Sequence, residues 1–364
     1  MSAFAPQLVP SEPKPRQRKA FVRRAAPDRS QHIRLGVQFV FLALNVWIGI
    51  QFLLWVRYYE SGGTTRHVER PAGVDGWLPI AGLMNLKYWL GAHHFPTIHP
   101  SAMVLIGVFL LASLLLKKTF CSWLCPIGTL SEYLWKLGRK VAQRSLRFPR
   151  WLDMTLRSLK YVLLAFFLFI VVSLSAESLG AFMQTPFGIL ADVKMLLFFR
   201  NLGLIGISVI GTLILLSVMI QNVWCRFLCP YGALMGIVSA VSPVKIRRDA
   251  EACIDCAKCA HACPSQLPVD KLIQVRSVEC TGCLECVAVC PAQNALQFSL
   301  PPRAAVSSAS RWTGRTLPPQ AVAAVLAVLF FGLIGAARLT GHWQTELPSE
   351  LYMRLVPNAA TFSH

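Results

Sequence analysis

The sequence predicts a mainly α membrane protein. Five transmembrane helices, two pseudo-repeated helix pairs plus one, would carry a small cysteine-bearing α+β domain on one side. Three observations predict it. The 364 residues are 54% hydrophobic and 15% charged, with a mean hydropathy of +0.50, more apolar than ordinary soluble composition. Five apolar segments, about Leu35–Val56, Ala102–Leu116, Tyr161–Ala176, Leu202–Ile220 and Ala321–Ala337, can each cross a hydrocarbon core of about 30 Å once flanking residues complete the shorter ones. All twelve cysteines fall in three segments, which leaves none for an ordinary structural disulfide.

Taken in order, residues 1–34 are polar, Pro-rich and basic, with no apolar run of the kind a cleavable signal peptide needs. They read as a disordered cytoplasmic tail. Residues 35–240 form the four-helix membrane domain, and 241–300 the cysteine-bearing domain. A linker of 301–319, opened by Pro301 and Pro302, leads to a fifth helix at 320–340 and a periplasmic tail at 341–364. The net charge of +19 invites a nucleic-acid partner, but Lys and Arg flank the apolar spans instead of forming a patch. They number eight through Arg34, ten in 117–160 and ten in 224–318, against four in 57–99, two in 177–200 and two at the C-terminal end. The positive-inside bias therefore places the N-terminus and the cysteine-bearing domain in the cytoplasm and the C-terminus outside.

The first four spans contain an internal repeat. TFCSWLCPIGTL at 119–130 matches VWCRFLCPYGAL at 223–234, and upstream NLKYWL at 85–90 resembles DVKMLL at 192–197. Each unit is a helix going out, a semi-apolar outer segment, a helix returning and a C-x3-C-P at the cytoplasmic end. Units of the same topology are related by an axis along the membrane normal.

Residues 253–291 carry the strongest chemical signal. Cys253, Cys256, Cys259 and Cys263-Pro264 form one C-x2-C-x2-C-x3-C-P run, and Cys280, Cys283, Cys286 and Cys290-Pro291 form another. This is the bacterial two-cluster [4Fe-4S] ferredoxin spacing. Three thiolates on one tight loop reach three irons of one cube, and the fourth points to the other cube. One cluster then takes Cys253, Cys256, Cys259 and Cys290, and the second takes Cys280, Cys283, Cys286 and Cys263. Zinc ribbons use separated C-x2-C pairs, and disulfides fit a reducing cytoplasmic face poorly.

Two C-x3-C-P motifs at helix ends followed by a double-cluster ferredoxin resemble the NapH/NosR-type membrane iron–sulfur proteins, polytopic electron-transfer subunits of nitrate and nitrous-oxide respiration. The resemblance covers about residues 35–300. It implies a bacterial inner-membrane protein, a quinol dehydrogenase subunit or electron relay, trading electrons between the quinone pool and a respiratory reductase or a redox partner such as a periplasmic cytochrome or ferredoxin. NosR-type proteins carry a large periplasmic flavin domain, for which this chain has no room, and the NapH pattern lacks the fifth helix. The copper-reducing assembly proteins of cytochrome oxidase share the core, but 27 residues after the fifth helix cannot form their periplasmic β-domain. An electron-donating maturation factor and a redox-sensing regulator are the rival functions.

Cysteines four apart on a helix share a face, so the two repeats would bring Cys121, Cys125, Cys225 and Cys229 toward a common axis. Four converging thiolates suit an iron–sulfur cluster or a zinc ion, with Lys117, Lys118 and Arg226 nearby to offset negative charge. A redox-active dithiol pair and thiols that only pack are the other readings. No histidine lies inside an apolar span, which argues against transmembrane haem and leaves a diffusing quinone as the simplest link to the membrane. Its headgroup site is expected in the outer segment Trp77–His99, where His93, His94, His99 or Asp192 exchanges protons and Lys87 or Lys194 bonds a carbonyl. An interfacial aromatic belt with solvated histidines is the other reading of that segment. Gln38 and Asn45 share a face of the first helix, as helix–helix contacts. Orientation is testable with alkaline phosphatase fusions: one at the C-terminus is active and one after Ala295 is inactive, and the reverse pattern contradicts the five-helix topology.

Overall fold

The computed structural model describes residues 22–25, 28–142, 148–301 and 315–362. Helix α1 runs over Ser30–Glu60 and ends where Gly62 and Gly63 take positive φ. It starts at Ser30, five residues before the apolar run. Val22 and Arg24, expected in a disordered tail, instead bond to the loop around Pro291: Arg24 N donates to Pro291 O and Gln293 N to Val22 O, both at 2.9 Å. The rest of the expected tail, and the linker at 302–314, lie outside the described residues.

A short 3-10 helix at Ala72–Trp77 leads into α2 (Pro79–Ala92) and then α3 (Pro100–Leu116). After a π-helical turn at Phe120–Leu124 comes α4 (Pro126–Ala142), a helix outside the five apolar segments. Leu130, Tyr133, Leu137 and Val141 form an exposed apolar stripe along α4, the mark of a helix lying in an interface. The second unit repeats the order: α5 (Arg150–Ser173), short helices α6 (Ala176–Met183), α7 (Pro186–Ile189) and α8 (Ala191–Arg200), then α9 (Leu204–Met219), a π-helical turn at Trp224–Leu228, and α10 (Pro230–Ser239). Proline at the first position of α2, α3, α4, α7 and α10 is pre-shaped for a helix start and gives up no needed donor.

Among the described residues three helices, α1, α5 and α13 (Pro319–Leu339), are long and apolar enough to cross a membrane. Helix α3 has 17 residues, about 25 Å at 1.5 Å per residue. Helix α9 has 16 and meets α8 at a bend of 86°. The two units interlock: α4 packs on α9, and α10 packs on α3. Each outgoing helix also meets its own unit's π-turn, α1 at Phe120–Leu124 and α5 at Trp224–Leu228. This reciprocity fits two like units about an axis along α3 and α9.

The cysteine-bearing domain hangs on a two-stranded antiparallel sheet, β1 (Lys245–Arg248) with β2 (Leu296–Ser299), in register Lys245↔Ser299 to Arg248↔Leu296. Short helices α11 (Lys258–Ala262) and α12 (Glu285–Ala288) precede the fourth cysteine of each run. At the opposite end of the molecule the C-terminal tail is packed in place. Helix α14 (Ser349–Leu355) buries Tyr352 against Trp55 and Tyr59.

Candidate iron–sulfur and cavity site

The two ferredoxin runs adopt one backbone. Asp255 and Ala257 in the first, and Gly282 and Leu284 at the equivalent places in the second, all have left-handed φ of 54–60°. Non-glycine residues pay for that conformation, and successive residues of alternating hand turn amide N–H groups into a concavity suited to a negative group. The eight cysteines sort into two sets. Cys253, Cys256, Cys259 and Cys290 line one small cavity, and Cys263, Cys280, Cys283 and Cys286 line another. The second set faces the helices. In the first, Cys256 is exposed.

The C-x3-C-P motif differs in form from the expected helical face. Cys121 lies within the π-turn, while Cys125 stands just beyond it in extended conformation (φ −69°, ψ 119°) and leads into Pro126 at the start of α4. Cys225 and Cys229 repeat this. The second cysteine of each motif is therefore a helix N-cap. Cys229 Sγ accepts the amide of Gly232 at 3.2 Å, and the amides of Gly128 and Ile127 favour the thiolate form of Cys125. Helix N-termini favour sulfur as thiolate. Gly128 permits the fold, because a Cβ there would lie 2.1 Å from the Cys121 carbonyl oxygen.

The interlocked repeats bring the four sulfurs to one place. All four cysteines line a single cavity of about 1220 Å³, and Cys225 interacts electrostatically with the other three. Burial pushes Cys121 up to about 12 against the pull of Lys118, and Cys125 up to about 11 despite its amide bonds. As thiols they stay protonated at neutral pH, and a cationic metal group would displace those protons. The donor set suits iron–sulfur chemistry better than a single zinc. Among the described residues only Asp75, His99 and Asp192 place three such ligand atoms within 4.8 Å of one another. Thiolates on one tetrahedral zinc at 2.3 Å would stand about 3.8 Å apart.

The first motif is stitched to the ferredoxin loop. Ser122 Oγ donates to Thr281 O at 2.6 Å, and Trp123 Nε1 to Gly282 O at 3.2 Å. Gly282 has φ +60°, and a Cβ there would lie 2.8 Å from Thr119 Cγ2. Glu279, one residue before Cys280, accepts from buried Lys160 at 2.6 Å and from Tyr161 OH at 2.8 Å. Lys117 Nζ bonds the carbonyls of Arg276 and Ser277. On the other flank Arg34, in α1, pairs with Glu132 at 2.6 Å and Glu285 at 3.0 Å, and Gln38 Nε2 donates to Ser122 O at 2.9 Å. Asn45 bonds only its own helix, at Phe41 O.

At the far end of the cavity the structure rearranges the expected quinone site. His93 and His94 are exposed. Lys87 is held by the carbonyls of Val171, Val172 and Leu174, and Lys194 by Phe362 O. Asp192 and His99 do meet, but in a buried ion network. Arg70 pairs with Asp192 at 2.7 Å and Asp75 at 2.5 Å, Asp75 bonds His99 Nδ1 at 2.9 Å, and His99 Nε2 faces Gly188 O at 3.1 Å. The guanidinium occupies the place between the two carboxylates that a metal ion would take. Sequence reading missed Arg70 and Asp75 because their partners lie up to 122 positions away.

The description "4Fe-4S binding domain" matches residues 98–144 and 202–249, the two C-x3-C-P units, and "4Fe-4S dicluster domain" matches 245–291. YccM of Escherichia coli, named for electron transport, is 51% identical over 331 residues, 91% of each chain. NapH of Escherichia coli, a ferredoxin-type protein, is 26% identical over 54% of this chain and 67% of its own. The regulatory protein NosR of Pseudomonas aeruginosa is 32% identical over 45% of this chain and 23% of its own. No solved structure matches.

The close approaches at the motif make a testable pattern. Gly282→Ala destabilises by roughly 1–2 kcal/mol from backbone conformation alone, and Gly128→Ala drives α4 from the Cys121 carbonyl. Both lower the thermal midpoint of the purified protein. Gly232→Ala, whose Cβ would meet nothing nearer than 3.5 Å, melts like the parent, and equal shifts in all three variants contradict this geometry.

With two ferredoxin-type cysteine runs, paired C-x3-C-P units on apolar helices and a relative matched along nine-tenths of its length, this chain belongs to the NapH/NosR-type family of membrane 4Fe-4S electron-transport proteins, alongside YccM.

Proposed function

We propose that the chain is a quinol-linked electron relay of the bacterial inner membrane, the membrane subunit of a quinol dehydrogenase. Five helices cross the bilayer, α3 and α9 completed by flanking residues, with the ferredoxin domain in the cytoplasm and the C-terminus in the periplasm. The Lys and Arg distribution supports that topology. Cys253, Cys256, Cys259 and Cys290 hold one [4Fe-4S] cluster, and Cys263, Cys280, Cys283 and Cys286 hold the other. Cys121, Cys125, Cys225 and Cys229 hold a third centre of iron–sulfur type.

Bound clusters supply one-electron transfer. A quinol gives up two electrons and two protons in becoming a quinone, so single-electron carriers divide the pair and pass it on one electron at a time. The protein's part is to hold the headgroup beside the first carrier, exclude water with apolar walls, and keep the carriers in fixed order. The observation that carries the reading is the single cavity. It is walled by both C-x3-C-P pairs, by Glu279 and Cys283 of the ferredoxin domain, and by apolar side chains of α1, α5, α9 and α13. Exposed Cys256, in the set turned away from the helices, supports exchange with a soluble redox protein at the far end of the chain of centres.

Iron, sulfide and zinc measured on anaerobically purified protein test the third centre. A variant with Cys121, Cys125, Cys225 and Cys229 all changed to Ser loses about one third of the iron if each centre is a four-iron cluster. Retention of the parent's full metal content removes the third centre and leaves dithiol chemistry as the account of those cysteines.

A further inference from the structure

The two repeats are alike in their cysteines but differ at several positions that line the cavity, and two of these matter for what it can bind. Three residues before the first cysteine, the first unit has Lys118 and the second Asn222. Two residues after the second cysteine, the first has Ile127 and the second Tyr231. The differences put a cation and a hydroxyl on the same wall. Lys118 is 2% exposed and reaches across to the second unit, its Nζ lying 3.5 Å from where a Cβ on Gly232 would be. Its electrostatic neighbours are Cys121, Glu279, Cys229 and Cys225. The Tyr231 ring stands edge-on to Phe120 at 5.9 Å and to Phe109 at 6.3 Å, which fixes the ring and leaves the hydroxyl near Cys121, Cys125 and Cys229.

Both side chains line the cavity. Among the described residues neither Lys118 Nζ nor the Tyr231 hydroxyl has a hydrogen-bond partner. The cations around them are engaged: Lys117 with carbonyls, Lys160 with Glu279, and Arg226 with Asp153. Neither Lys118 Nζ nor the Tyr231 hydroxyl is among the fully enclosed unpaired side-chain atoms, so both open to the cavity, and a mostly apolar cavity with a few convergent polar groups is the usual form of a small-molecule site.

Resting on the quinol reading above, we infer that Lys118 and Tyr231 are the headgroup-binding pair, both donating to one carbonyl oxygen of a para-quinone ring set against the four-cysteine site. The headgroup thus sits at the ferredoxin end of the cavity and not at the Arg70 end, and the isoprenoid tail follows the apolar wall past Phe330 and Ile334 toward Trp47. The asymmetry of the repeats gives the ring one orientation where a symmetric site would offer two.

The test is binding of decylubiquinone to the detergent-purified full chain, read by quenching of tryptophan fluorescence, with iron content measured on each sample. Tyr231→Phe and Lys118→Met each weaken binding about tenfold while iron per chain stays at the parent value. If the parent binds and both variants bind within about twofold of it, the headgroup assignment is wrong and the quinol reading stands. If the parent itself does not bind decylubiquinone, the quinol reading falls and this assignment with it. Because a variant could lose iron, photolabelling of the parent with an azidoquinone gives an independent result. Label in peptides containing Lys118–Cys125 or Cys229–Gly232 is expected, and label confined to Trp77–His99 overturns the assignment.

Discussion

Everything functional in this molecule depends on the hydrogen-bonded seam between the first C-x3-C-P turn and the ferredoxin loop Cys280–Cys283. Ser122 and Trp123 sit between Cys121 and Cys125, while Thr281 and Gly282 sit between Cys280 and Cys283. Two hydrogen bonds join these four residues directly. Separate domains on a linker would drift by ångströms, and an electron path between them would drift too. Here the spacing is fixed by groups interleaved with the thiols themselves, and Gly282 is what lets the two backbones come this close.

Charged groups reinforce the seam on both flanks, with Lys160–Glu279 on one side and Arg34 with Glu132 and Glu285 on the other. Buried ion pairs are weak sources of net stability, because desolvation offsets most of the attraction. Breaking one by removing a partner is nonetheless expensive, so such pairs fix register. Each of these ties a residue of a membrane helix, Arg34 in α1 or Lys160 in α5, to a ferredoxin residue next to a cysteine run. The Arg70 network does the same at the opposite end, joining the segment before α2 to the start of α3 and to α8. Both ends of the cavity are thereby clamped, and its length is set by the helices between.

Much of this was legible in the sequence, for identifiable reasons. The C-x2-C-x2-C-x3-C-P spacing fixes a loop geometry, and the grouping it suggests, Cys290 with the first three cysteines and Cys263 with the later three, is the grouping that lines the two small cavities. The repeat in 119–130 and 223–234 pointed to convergence of four thiols. The motif's form was not legible, because a π-turn shares the composition of an α-helix. Only the proline hints that Cys125 and Cys229 cap new helices instead of continuing old ones. Helix α4 was hidden by its amphipathic pattern, which reads as neither span nor core. The engagement of Lys87, Lys194 and Asp192 was not legible, since it is decided by partners far along the chain. Lys118 and Tyr231 were printed beside the motif all along, but their meaning needs the repeats interlocked.

The central claim is that the four C-x3-C-P cysteines carry a redox centre adjacent to the cluster of Cys263, Cys280, Cys283 and Cys286. The most direct measurement is electron paramagnetic resonance during a redox titration of the anaerobically purified chain. Three redox transitions are expected and, in the fully reduced protein, splitting from magnetic coupling between the third centre and that cluster. A spectrum that is reproduced in full by two ferredoxin clusters coupled only to each other would contradict it.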